Sequence, residues 1–360
     1  MKRACLSTVL MALTVAVSAS ACAAEVQPSR SGEGGCTIAF LLPENTTPRY
    51  EAKDHPLFLD AVKAQDPSCK VLYFNAANAA DKQQQQAESA LSQGAQVLVL
   101  DAANVTSSAA IVQEAKAKGV PTVAYDRTAG GPLAYRTGFD NVEVGKTQAN
   151  AMIKAMQAAG HSSGNIVMIN GAPDTTGAFF KQGAHEVFDK SGYKIAAEYD
   201  TDGWSPTNAT TEMTQAIAKV GAHDIAGVYA ANDTLAGAAI TAMRQAGISP
   251  IPPVTGLDAT DEGLQRIVLG TQYMTTYKNL KAETDAAAKI AILLAHGKPL
   301  PSAPMVKNVT GDDVPTQLLP PIAVTVDTIK STVIADGFAT AAEVCGGGAA
   351  DACARAGITG

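Results

Sequence analysis

Val97-Leu98-Val99-Leu100 and Thr122-Val123-Ala124-Tyr125 are short apolar runs, and between them Ser107 to Lys118 carries helical periodicity. Neither run alternates apolar with polar residues. A strand exposed on one face alternates, whereas a strand covered on both faces reads as an unbroken apolar run, the mark of a parallel sheet with helices on either side. Working outward, the cycle recurs: strand Thr37 to Leu42, helix Pro56 to Ala64, strand Val71 to Phe74 and helix Ala80 to Gln93 precede it. The glutamines Gln83 to Gln86 lie in that last helix beside Ala87, Ala90 and Leu91, and read as its solvated face.

A second series begins after Asp140-Asn141. Val144 to Ala158 is helical, with Gly145, Ala149, Met152 and Met156 on one face. Strand Asn165 to Ile169, helix Ala178 to Lys190, strand Ile195 to Tyr199, helix Asn208 to Lys219, strand Gly227 to Tyr229 and helix Thr234 to Gln245 follow. Next come a short strand Pro253 to Gly256, helix Asp261 to Leu269 and strand Gln272 to Tyr277. Helix Leu280 to Leu294 is suited to return to the first unit, and Asp313 to Ile322 leads to a last short strand and a helix, Asp327 to Ala335. The expected fold is α/β, two doubly wound parallel-sheet lobes. Their residues would be 36–139 plus 279–312 and 140–278 plus 313–344, with hinge crossings near 138–141, 277–279 and 311–317.

The ends of the chain carry different signals. Met-Lys-Arg, an apolar segment Leu6 to Val17 and Ala19-Ser20-Ala21-Cys22 read as a signal peptide over 1–21, too short to span a bilayer, with Cys22 as a lipid attachment site. Plain cleavage after an Ala-x-Ala is the alternative. Residues 22–35 read as a flexible tether. The expected location is the outer face of the cytoplasmic membrane as a lipoprotein, or the periplasm. Four further cysteines in an exported chain imply two disulfides, with three possible connectivities. Cys345 and Cys353 flank a Gly-Gly-Gly run in the tail 345–360 and suit local pairing, while Cys36 and Cys69 precede neighbouring strands. The rival is a metal site, opposed by the absence of Cys-x-x-Cys and of any His close in sequence. The net charge of −7 argues against nucleic acid or an anionic membrane face as partner.

Polar residues cluster where the strands end: Asp126-Arg127, Asp140-Asn141, Asn232-Asp233, Asp258 and Lys278, with Arg49 after the first strand. In open α/β sheets ligands bind at the carboxyl ends of strands. Each residue also has an ordinary reading: Asp and Asn cap helices, Arg127 makes a surface ion pair, and Lys278 is a solvated strand end. Taken together, they match the vicinal hydroxyls of a sugar with bidentate acceptors and donors. Trp204, the sole tryptophan, lies in the polar turn Asp-Gly-Trp-Ser-Pro and would be the plate on which a sugar ring stacks. Nucleophile-elbow, zinc-protease and Walker-type motifs are absent from the sequence, and the five histidines are scattered. An Asp126–Asp258 acid/base pair beside Arg and Lys would be held ionised, which disfavours a glycosidase.

The order Tyr125-Asp126-Arg127, Phe139-Asp140-Asn141 with Val144-Gly145, Asp202-Gly203-Trp204-Ser205-Pro206, Asn232-Asp233 with Ala236-Gly237, Gly256-Leu257-Asp258-Ala259, Gly270 to Lys278 and Asp313-Val314-Pro315 resembles the D-xylose-binding proteins of ABC importers. The resemblance implies a type I periplasmic-binding-protein fold whose lobes close on a monosaccharide, with no cofactor, and delivery to an ABC permease by a monomer. It implies sugar contacts by Arg127, Asn141, Trp204, Asn232, Asp258 and Lys278, with Arg49 beside them and Asp126 at the same strand end. A sugar sensor for a membrane receptor or kinase shares this architecture; an extracellular sugar-acting enzyme is the other alternative.

Overall fold

The computed structural model describes residues 35–358. The signal peptide, Cys22 and residues 22–34 of the tether lie outside the described residues. Among those described, no helix is long and apolar enough to cross a membrane.

The first sheet is built from β1 (Thr37–Leu42), β2 (Lys70–Asn75), β3 (Val97–Leu100), β4 (Thr122–Asp126) and β5 (Tyr135–Phe139). Its helices are α1 (His55–Gln65), α2 (Ala80–Ser92) and α3 (Ser108–Ala117). The unbroken apolar runs divide as their pleat requires. Ile38, Phe40, Val97, Val99 and Val123 face a core with Phe58, Ala61 and Val62 of α1. Their neighbours Ala39, Leu41, Leu98, Leu100 and Ala124 face a core with residues of α2 and α3. Gln83 departs from its expected solvated place. It is buried, donating to the Asp101 carbonyl at 2.7 Å and accepting from Ala103 N at 2.8 Å, because the loop after β3 has backbone groups that no strand satisfies.

The second lobe holds α4 (Asn141–Ala158), β6 (Asn165–Asn170), α5 (Gly177–Phe188), β7 (Lys194–Asp200), α6 (Pro206–Val220), β8 (Ile225–Ala230) and α7 (Asp233–Gln245). Its parallel sheet has the order β7-β6-β8. Helices α4 and α5 cross in near backbone contact: a Cβ on Gly145 would lie 1.9 Å from the Phe180 carbonyl oxygen, and one on Gly183 equally close to that of Val142. Only glycine fits at such a crossing.

After α8 (Asp261–Val268) and β9 (Thr275–Tyr277), α9 (Leu280–Ala295) returns to the first sheet, where Ala287, Ala288, Ile290 and Ala291 join the α1 face. Then come β10 (Met305–Lys307), β11 (Asp313–Leu319) and β12 (Ile322–Val324). The full first sheet runs β10-β11-β5-β4-β3-β1-β2, parallel except at the β10 edge. Two expectations change here. Strand β5 was not foreseen, because Arg136 and Gly138 interrupt its apolar pattern; and Asp313–Leu319, expected with the second lobe, pairs with β5 in the first sheet. The third crossing therefore falls at Pro320-Pro321, where neither residue has an amide to continue a ladder.

Two expected strands shrink for local reasons. Residues 253–256 contribute only an isolated bridge, Val228 to Val254, since Pro252 and Pro253 lack amide donors. The amides of Thr271 and Gln272 close the end of α8 on the Arg266 carbonyl at 2.9 and 3.2 Å, so the strand begins at Thr275 and pairs antiparallel with β12. The expected helix 327–335 is reduced to a π-turn, Lys330–Ile334.

Both disulfides form as Cys36–Cys69 and Cys345–Cys353. The second ties a tail with α10 (Ala341–Val344) and α11 (Ala350–Arg355), which packs on Leu264, Ile267 and Val268 of α8. The fold brings His296 to 4.0 Å from the Cys69 sulfur, a proximity sequence spacing did not reveal. With each sulfur bonded to another, that cluster has no thiolate to offer a metal.

Candidate binding cleft

Four strand ends or bridges converge between the lobes. Asp126 ends β4, Asn232 follows β8, Asp258 follows the bridge of Leu257 to Thr276, and Lys278 follows β9. With Thr47, Arg49, Tyr50, Arg127, Thr176, Phe180, Trp204 and Leu257 they line a small, nearly closed cavity. Asp126, Trp204 and Asp258 hold φ of 50°, 54° and 93°. Left-handed backbone in three non-glycine residues of one cavity is strain concentrated at a site.

Arg49 is the electrostatic centre. It grips Asp54 through Nε–Oδ2 at 3.0 Å and Nη2–Oδ1 at 2.7 Å, stands 3.2 Å from Asp126, and reaches Asp258 of the second lobe at 3.5 Å. Lys278 Nζ donates to Asp126 Oδ1 and lies over the rings of Phe139 and Phe180. Burial would raise the Asp126 carboxyl, but Arg49 and Lys278 hold it well below the usual carboxylate range. At Asp258 burial prevails over the same two cations, and the carboxyl is raised. Arg127 donates to the Tyr50 hydroxyl at 3.2 Å and stands 3.5 Å from Glu44 and 3.7 Å from Asp101. Burial lifts Asp101 far above its ordinary range, with the Asp126 charge adding to it. Tyr50 has both guanidinium groups near its ring, Arg49 at 4.8 Å and Arg127 at 5.5 Å.

Opposite this charged wall stand apolar groups. Trp204 is set by Nε1 donating to Thr175 Oγ1 at 3.2 Å and by close packing on Gly171, where a Cβ would meet the indole at 2.1 Å. It both lines the cavity and belongs to the core of its lobe, with Phe180 edge-on at 6.2 Å. The arrangement offers charged hydrogen-bonding groups to one side of a small ring and aromatic surface to the other.

The ordinary readings separate residue by residue. Asn232 does cap α7, its Oδ1 accepting from Leu235 N, and it lines the cavity as well. Asp258 caps nothing: Thr260 caps α8. Arg127 and Lys278 are each 2 % exposed, so neither is a surface group. Asn141 sits apart from the others, bordering an adjoining hinge-side cavity with Arg136 and Phe139, its buried Oδ1 accepting no hydrogen bond. Sequence reasoning missed Thr47, Tyr50, Thr176, Phe180 and Leu257 in the lining. It also missed the supporting acids Glu44 and Asp101, just beyond apolar strands, and Asp54 at the head of α1, none of which carries a motif of its own.

The model of the family described as "Periplasmic binding protein domain" matches residues 38–299. The chain is 35% identical over 292 residues to the D-xylose-binding periplasmic protein of Escherichia coli (strain K12), covering 79% of this chain and 86% of that protein. It is 27% identical to a multiple sugar-binding periplasmic receptor of Rhizobium radiobacter, covering 70% and 77% respectively. A carbohydrate transporter solute binding protein from Chloroflexus aurantiacus, solved with D-glucose, shares the fold with a TM-score of 0.78 at 23% identity, over 85% of this chain and 97% of that one.

Proposed function

Because the chain belongs to the periplasmic binding protein domain family and has its type I fold, we propose that it captures a monosaccharide, D-xylose or a related aldose, between its lobes and delivers it to an ABC permease. The observation that carries this reading is the small cavity in which Arg49, Asp126, Asp258 and Lys278 interlock, faced by Trp204 and Phe180. Ligand hydroxyls would exchange hydrogen bonds with Arg49, Asp126, Arg127, Asn232, Asp258 and Lys278, while the C–H face of the ring rests on Trp204; Asn141 would join from the hinge side. Closure would follow from differential affinity, because a ligand held between Arg49 and Asp258, 3.5 Å apart here, favours the form in which both reach it. The protein acts by binding rather than catalysis, working as a monomer without cofactor. Residues 1–21 would direct export, and Cys22 would carry a lipid that holds the protein at the outer face of the membrane, with 22–35 as tether. The lobes would be 36–139 with 279–319, and 140–278 with 322–344.

A thermal-shift panel of pentoses, hexoses and disaccharides, followed by calorimetry, tests this, because a ligand of the folded state raises the melting temperature by mass action. D-xylose is expected to give a shift and disaccharides none. A response to another monosaccharide changes the substrate; silence across the panel removes the reading.

A further inference from the structure

Resting on the cleft reading above, we infer that Asp233 is the positioning residue that sets three ligand-facing groups, Asn232, Asp258 and Lys278, without lining the cavity itself. Asp233 is fully buried. Its Oδ1 accepts from Gln272 Nε2 at 2.6 Å, and its Oδ2 accepts from Thr260 N at 2.9 Å and Thr275 Oγ1 at 3.1 Å. Its own backbone N–H donates to the Leu257 carbonyl at 3.0 Å. One residue therefore grips the chain immediately before and shortly after Asp258, across the two residues with positive φ, Asp258 and Ala259.

The grip extends to the neighbouring strand. Thr275 Oγ1, donating to Asp233, also accepts from Ala259 N at 3.1 Å, and Asp258 N donates to the Thr276 carbonyl at 3.0 Å. Lys278 lies two residues beyond, and Asn232 is the adjacent residue on the other side. Arg266 completes the frame, with Nη2 on the Asp233 carbonyl at 2.6 Å and Nε on Gln272 Oε1 at 2.9 Å. The sequence leaves room for this carboxylate: a Cβ on Gly256 or Gly263 would lie 2.0 or 2.2 Å from its oxygens. Burial pushes the carboxyl up to about 6 against the pull of Arg266. A buried ion of this kind is a poor source of stability, so its use is geometric.

The test is Asp233→Asn, which keeps the shape but turns an amide donor toward N–H and hydroxyl donors. Cooperative thermal unfolding checks the fold, titration with D-xylose reads affinity, and amide hydrogen exchange reads local order. Affinity should fall about tenfold or more, as for loss of a charge-assisted hydrogen bond, with faster exchange confined to 257–260 and 275–278. Unchanged affinity, or exchange quickened throughout the lobe, β6 included, overturns the proposal. Should the wild type bind no monosaccharide, the proposed function fails separately, and localised exchange still decides whether Asp233 holds the turn. If Asp233→Asn does not fold, Thr275→Val removes the relay hydroxyl with little change of shape. It should give the same local loosening and a smaller affinity loss, and no change in either overturns the role.

Discussion

Lys278 Nζ stands 2.8 Å from Asp126 Oδ1, joining the residue at the second interlobe crossing to the end of β4, with both side chains 2 % exposed. At this depth neither group is neutral in its effect: each needs the other.

Lys278→Met should therefore destabilise the protein by about 2–4 kcal/mol, somewhat less than the full cost of breaking a buried pair because Arg49 still faces Asp126. Sugar binding should be lost with it. Urea unfolding with parallel calorimetry checks both. The Asp126 carboxyl is depressed, so its stabilisation is present above the unfolded value of about 3.9 and is lost as pH falls through the lower folded value. Acid unfolding of Asp126→Asn should accordingly be less steep than that of the wild type.

Trp204 is the sole tryptophan and lines the cavity, so its fluorescence reports on the site without a label. Adding a bound monosaccharide should change its intensity or emission maximum in a saturable way. Trp204→Ala should abolish binding and, because the indole also packs on Gly171 and Phe180, lower stability by about 3–5 kcal/mol. Full affinity in that variant would remove the indole from the site.

His185 on α5 lies 2.9 Å from Glu198 and 3.2 Å from Asp189. Burial lowers its pKa, yet the two carboxylates outweigh burial and the net shift is upward. A raised folded value means the stabilisation is complete below the unfolded value of about 6.5 and disappears as pH rises through the folded one. His185→Gln should be less stable than the wild type at about pH 6 by on the order of 0.5 kcal/mol, the gap closing near pH 9. A pH-independent gap would assign the loss to packing.

Replacing both Cys345 and Cys353 with serine should reduce stability by about 2–3 kcal/mol, the range for so short a loop. The loss should appear as faster hydrogen exchange in the tail and α8, on which the tail packs. Exchange in β1 and β3 should not change.

The parallel sheets were legible because burial on both faces leaves an unbroken apolar run, and the expected limits of β1 and β3 coincide with those found. Strand β5 escaped because Arg136 and Gly138 obscure a strand whose burial comes from its partners β4 and β11. The pairing of β11 with β5 is a contact between distant segments and leaves no periodic trace. Among the cleft residues, those ending strands announced themselves by position. Asp54 did not: it enters the site as the bidentate partner of Arg49 at the head of a helix, where an acid is ordinary. Asp233 was visible only as part of Asn232-Asp233, since nothing local tells which of two adjacent polar residues faces a ligand and which faces the protein.

The placement of β11 also bears on the order in which the polypeptide acquires structure. Every strand and helix from α4 to β8 is consecutive, so that part of the second lobe can assemble as soon as its own residues are free. The other sheet must wait for α9 to cover one face and for residues 313–319 to flank β5. A chain emerging from its amino end thus completes the α4-to-β8 core of the second lobe before the first sheet closes, with β5 presenting an open edge in the interval. Until residues 313–319 cover it, that edge is the part of the unfinished molecule most open to pairing with another chain.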